Sequence, residues 1–138
     1  MKVFTYGIRT LAFLALGLTS AAHAAPAPQP EAQAKQLVRC SWLAAEAAKM
    51  VNDAEAAAVY QALADILDSR ARDLGASVQM RREWAGELES VVEQASGNKE
   101  LEQRLGQDMQ SCDRLRREVG AEAEERGRKA FASGRAGH

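Results

Sequence analysis

Two cysteines constrain this chain more than any other residues: Cys40 in VRCSWLAAEAAKMV and Cys112 in DMQSCDRLRREV. Each stands in a segment patterned as an amphipathic helix, and each falls on the apolar side of that helix. In the first segment Leu37, Cys40, Ala44, Ala47 and Val51 step by three and four residues, which traces one helical face, and Val38, Trp42 and Ala45 widen it. In the last, the stripe is Leu101, Leu105, Met109, Cys112, Leu115 and Val119. Two further helical stripes lie between: Ala56, Val59, Tyr60, Leu63, Ile66, Leu67 and Leu74, then Met80, Trp84, Leu88, Val91, Val92 and Ala95. No run alternates with the period of a strand.

Local signals divide these four helices. The first is expected over residues 31–51, after the Pro-rich APAPQP. Asn52, with Glu55 three residues on, resembles a capping box that opens the second helix. Gly75 stands where a helix C-cap belongs. Ser77 can cap the third helix, and Ser96-Gly97-Asn98 is a turn whose Asn98 caps the fourth. The fourth helix is expected over residues 99–119. Gly106 lies inside it, at a cost of about 1 kcal/mol relative to alanine.

Short turns favour antiparallel neighbours, so the expected fold is all-α: an up-down-up-down four-helix bundle. In that order the start of the first helix lies beside the end of the fourth. Cys40 and Cys112 then stand about 13 Å and about 10 Å from the same end, at a rise of about 1.5 Å per residue. A disulfide between Cys40 and Cys112, joining first and last helices, is the expectation.

The beginning of the chain points to the compartment where such a bond persists. Lys2 and Arg9 precede the apolar run LAFLALGL, and Ala22-His23-Ala24 fits the small-x-small pattern of signal cleavage. The apolar run is far shorter than the roughly 20 residues needed to span a bilayer. Residues 1–24 are therefore read as a cleaved signal peptide, 25–30 as a disordered Pro-rich leader, 31–119 as the helical domain, and 120–138 as a frayed helix and disordered tail. The expected location is the periplasm, or outside the cell, where disulfides form. No later stretch is expected to enter a membrane.

Removing the first 24 of 138 residues leaves 114, one domain by size. Taking Lys2 and Arg9 from the 18 basic side chains leaves 16 against 19 acidic ones, a formal charge of −3. That balance argues against nucleic acid as a partner. The aromatic residues after position 24 are only Trp42, Tyr60, Trp84 and Phe131, and alanine fills much of the core. Each alanine buries little area, so a small domain of this kind gains from a covalent staple.

The residue inventory narrows the chemistry. After position 24 the one histidine is His138, at the C-terminus. Nucleophile–histidine sets, zinc sites, Glu-x-x-His pairs and Cys-x-x-Cys-His haem attachment all lack their residues in the body of the chain. No Gly-rich phosphate loop is present. Carboxylates abound, including Asp65 with Asp68 and Glu83 with Glu87, but they fall on polar helix faces. No catalytic residue, metal or cofactor is assigned.

Trp42 and Trp84 read as bulky core residues. Trp84 has Arg81 and Arg82 beside it, so Trp84, Arg81 and Arg82 are the candidate partner contact, because Trp and Arg anchor many interfaces. The expected function is therefore non-enzymatic: a small exported helical protein that binds another protein, for example as an inhibitor or immunity-type protein. The alternatives are a periplasmic stress chaperone and a small-molecule-binding bundle. The partner is an unidentified protein, and the chain itself is a monomer or a homodimer.

Overall fold

The computed structural model describes residues 29–134. These form four helices: α1 (Pro30–Met50), α2 (Ala54–Asp73), α3 (Val78–Ala95) and α4 (Lys99–Ala132). The described residues contain no strand, as the stripe pattern requires. The expected signal peptide, residues 1–24, and most of the Pro-rich leader lie outside them.

The caps follow from local chemistry. Pro30 occupies the first turn of α1, where its missing N–H costs nothing. Asp53, not Asn52, caps α2: its carboxylate accepts a 2.8 Å hydrogen bond from the backbone N–H of Ala56. An aspartate there also places negative charge at the helix N-terminus. Replacing Asp53 with alanine should cost about 1 kcal/mol in a urea melt, whereas Asn52→Ala should change stability by no more than a few tenths.

Ser77 and Asn98 cap α3 and α4, accepting from the N–H groups of Met80 at 3.1 Å and Leu101 at 3.3 Å. The end of α2 is a Schellman motif, in which Gly75 donates to the Arg72 carbonyl and Ala76 donates to the Ala71 carbonyl. Gly75 takes φ +94°, a conformation that glycine reaches without a Cβ penalty.

A three-residue connection sends α2 back along α1. Small side chains let the pair approach closely: Ala34 and Ala44 of α1 and Ala64 and Ala71 of α2 are all buried. Ser41 donates a 2.8 Å hydrogen bond to the Ala64 carbonyl across this contact. Leu37, Val38 and Cys40 meet Leu63, Ile66 and Leu67 in the core, which Trp84, Val119 and Ala123 complete.

The order of the remaining helices departs from strict alternation. Up-down-up-down order would set α2 and α4 parallel. Instead, Arg128 pairs with Glu55 at 3.3 Å, Gly127 lies on Val59, and Arg114 and Leu115 share a groove with Arg70 and Leu74. The paired positions thus run in opposite senses, and α1 and α4 point the same general way. The reason lies in α3. It does not return along α2 but packs against α1 and α4, with Glu87 meeting Lys35 of α1 at 2.6 Å. Its tie to α2 is the ion pair between Arg81 and Asp68.

The fourth helix also continues past Val119, where the sequence pattern suggested fraying. It runs for 34 residues, and Val119, Ala123 and Gly127 are its buried positions. At about 1.5 Å per residue it spans roughly 51 Å, enough to cover the long side of the α1–α2 pair. Its first part, from Lys99 to Glu118, contains no fully buried residue, so the Leu101–Leu105–Met109 stripe is only half covered.

Candidate functional site

Cys40 and Cys112 form a disulfide that joins α1 to α4, with an S–S distance of 2.04 Å and a Cα–Cα distance of 5.3 Å. Cys40 is buried and Cys112 is half-buried. The Gln36 amide lies against both sulfurs, at 3.5 Å and 4.0 Å. One turn away Arg39 meets Asp108, bridging the same two helices at 3.3 Å. The bond is a clamp between helices with few other mutual contacts. It stands apart from any second thiol, since no free cysteine exists.

The Trp84, Arg81 and Arg82 cluster is not an exposed aromatic–arginine patch. Trp84 is in the core, 7% exposed. Arg81 folds onto α2 to reach Asp68, with 16% of its side chain exposed. Arg82 alone points to solvent. The physical cause is the thin core: in an alanine-rich bundle the indole is the largest apolar body that can fill the space between α3 and α1–α2. Trp42 is half-buried on α1.

The paired carboxylates are engaged as ordinary surface groups. Asp68 is shared by Arg81 and Arg72, Glu87 is held by Lys35, and Glu83 accepts from Gln79 at 2.9 Å. Asp65 accepts from Gln61 at 3.1 Å. Among the described residues no group of three or more His, Cys, Asp or Glu side chains is placed to hold a metal ion.

What the fold does build is a long concave surface over α2. One groove, of about 730 Å3, runs between α2 and α4; Ala56, Val59, Tyr60 and Leu63 lie on its α2 side, and Arg116, Arg117, Gly120, Glu124 and Arg128 on its α4 side. A second, of about 400 Å3, opens beside the disulfide between α1 and α4; it is lined by Leu43, Ala44, Ala47, Met50, Leu67 and Met109, with Glu46, Asp113 and Arg116 among its polar residues. Tyr60, Leu63 and Arg116 line both, so the two adjoin there. Met50 and Met109 stand at the edge of the second groove, 75% and 59% exposed.

The sequence pattern placed Tyr60 and Met109 on apolar stripes; in an alanine-rich bundle it left room for an exposed face at Tyr60 and Val59, but it carried no sign that Met109 would be left open. That opening follows from the direction of α4, which lies over α2 at its C-terminal half and diverges from the pair before Cys112. No family model matches the chain, and neither curated proteins nor solved structures provide a match.

Proposed function

We propose that this is an exported, non-enzymatic protein that holds a segment of another polypeptide in the channel of adjoining grooves over α2. The observation that carries this reading is the adjacency of two apolar-floored grooves that share Tyr60, Leu63 and Arg116, with two exposed methionines on the rim. A drug-sized ligand needs a pocket that buries most of its surface. A channel open along its length suits a helix laid into it, with side chains at successive turns on the apolar floor. Methionine is unbranched and polarizable, so it adapts to such a surface.

Export is supported by the signal pattern of residues 1–24, by the disulfide, and by the lack among the described residues of any helix long and apolar enough to cross a membrane. Of the two binding roles, inhibitor or immunity protein implies one tight partner and stress chaperone implies many.

Site-specific photo-cross-linking in the source cell tests the channel. A photoreactive residue at position 109 should capture a second polypeptide, one at the exposed Gln103 should not, and Met50→Glu should abolish the capture at 109. Met50 is exposed at the end of α1, so the variant should fold. Equal capture at 103 and 109, or capture indifferent to Met50→Glu, would remove the channel as the binding site. One captured species assigns an inhibitor-type role; a broad range assigns a chaperone.

A further inference from the structure

The two halves of α4 are held by different means. From Val119 onward the helix is packed: Val119, Ala123 and Gly127 are buried, and Gly127 lies on the backbone of Val59. Over residues 99–118 nothing is fully buried, and Gly106 is a poor helix former in the middle of that stretch. A helix draws most of its stability from packing of its apolar face. The first half of α4 has little such packing, so it depends on its ties to α1. These are the Cys40–Cys112 disulfide and, one turn away, the Arg39–Asp108 pair.

The bond is open to attack from one side. Cys40 is 2% exposed, whereas Cys112 is half-buried, and both line the groove that opens between α1 and α4 beside Leu43, Ala47 and Met109. The Gln36 amide lies closer to Cys40 Sγ than to Cys112 Sγ, at 3.5 Å against 4.0 Å. A thiolate accepts a hydrogen bond more strongly than a disulfide sulfur does, so this amide favours Cys40 as the sulfur that leaves.

We infer that the disulfide is a reducible latch on the first half of α4, opened by a dithiol of the Cys-x-x-Cys kind. One thiolate of the dithiol attacks Cys112 Sγ through the groove. The S–S bond breaks, and its electron pair goes to Cys40 Sγ, which takes up a proton. The second thiolate of the dithiol then attacks the sulfur now bound to Cys112, and Cys112 leaves and is protonated in turn. The protein gains two electrons and two protons, and the dithiol becomes a disulfide. Released from α1, residues 99–112 carry Met109 away from the groove and uncover Leu43 and Ala44, while residues 119–127 stay docked on α2. The latch does not depend on the channel reading, because it belongs to the bond and to α4 whether or not a polypeptide is held.

Dithiothreitol is the probe, acting on the folded, oxidised chain without denaturant, with alkylation and mass spectrometry to count the thiols. The rate of reduction should rise in proportion to dithiothreitol with no plateau, because the bond is attacked in the folded protein. A rate that levels off at the rate of global unfolding would overturn the latch, since the bond would then be reached only in the unfolded chain. With glutathione, a monothiol, the trapped adduct should sit on Cys112, and an adduct on Cys40 would overturn the order of attack. Hydrogen exchange of the reduced chain reads the release. Amides of residues 101–112 should lose their protection, while those of residues 119–127 and of α2 keep theirs in measurable degree. Protection lost evenly from all four helices would mark a staple of the whole fold, and protection retained at 101–112 would show that α4 stays in place. Either result overturns the latch.

Discussion

Replacing Cys40 and Cys112 together with serine should lower the unfolding free energy by about 4 kcal/mol, the value expected for opening a loop closed by residues 72 apart in sequence. That is a large fraction of what so small a domain possesses. Two features make the effect large here. The core is thin, with alanine at many of its positions, so burial alone leaves little margin. And α1 and α4 touch over only a short stretch, where the disulfide and the Arg39–Asp108 pair are the principal ties. Denaturant melts of the oxidised protein, the reduced protein and the double serine variant measure it. A variant that unfolds at the same midpoint as the oxidised protein would show that the bond is incidental.

The second large effect is at Gly127. Glycine inside a helix ordinarily costs about 1 kcal/mol relative to alanine, so Gly→Ala in a helix usually stabilises. At Gly127 the sign should invert. A Cβ there would lie 2.5 Å from the Cα of Val59 and 2.7 Å from its backbone nitrogen, and a neighbouring backbone cannot step aside as a side chain can. Gly127→Ala must push α4 away from α2, with an expected loss of at least about 2 kcal/mol. Gly86 and Gly106 provide the internal comparison, since a Cβ at either meets nothing within 4 Å. Gly86→Ala and Gly106→Ala should raise stability by up to about 1 kcal/mol. Three melts thus separate helix propensity from helix–helix contact, and a neutral Gly127→Ala would contradict the packing of α4 on α2.

Gly127 also shows what the sequence left hidden. The pattern of three- and four-residue steps located all four helices, and the cap residues Ser77 and Asn98 and the stop at Gly75 marked their ends. Apolar periodicity reports burial by large side chains, and after Val119 the buried positions of α4 are Ala123 and Gly127, which carry almost no such signal. The last turns of α4 therefore read as a tail when they are a close-packed contact. The same blindness affected direction. Matching the heights of Cys40 and Cys112 assumed a helix ending at Val119 and running back along α1. The helix in fact extends to Ala132 and points the other way. The disulfide was still legible, because it rests on two inward-facing stripes and on the signal-like pattern of residues 1–24, and needs no particular helix order.

The candidate site was less legible, for a related reason. Trp84 drew attention by size and by its arginine neighbours, yet size is what carried it into the core. The channel depends on where helices part, which no single helix encodes. Tyr60 and Met109 belong to stripes whose covering elements lie elsewhere in the chain, and Arg116 and Arg117 look like any polar face until α2 is placed beneath them.

Native mass spectrometry of the protein isolated from its own cells tests the central claim most directly, namely that a disulfide-clamped bundle holds a polypeptide over α2. The prediction is a chain beginning at Ala25, lighter by two hydrogens than its reduced form, accompanied by a second polypeptide that is missing from the Met50→Glu spectrum. A chain that carries both thiols, or one that is equally bare with and without Met50→Glu, would contradict it.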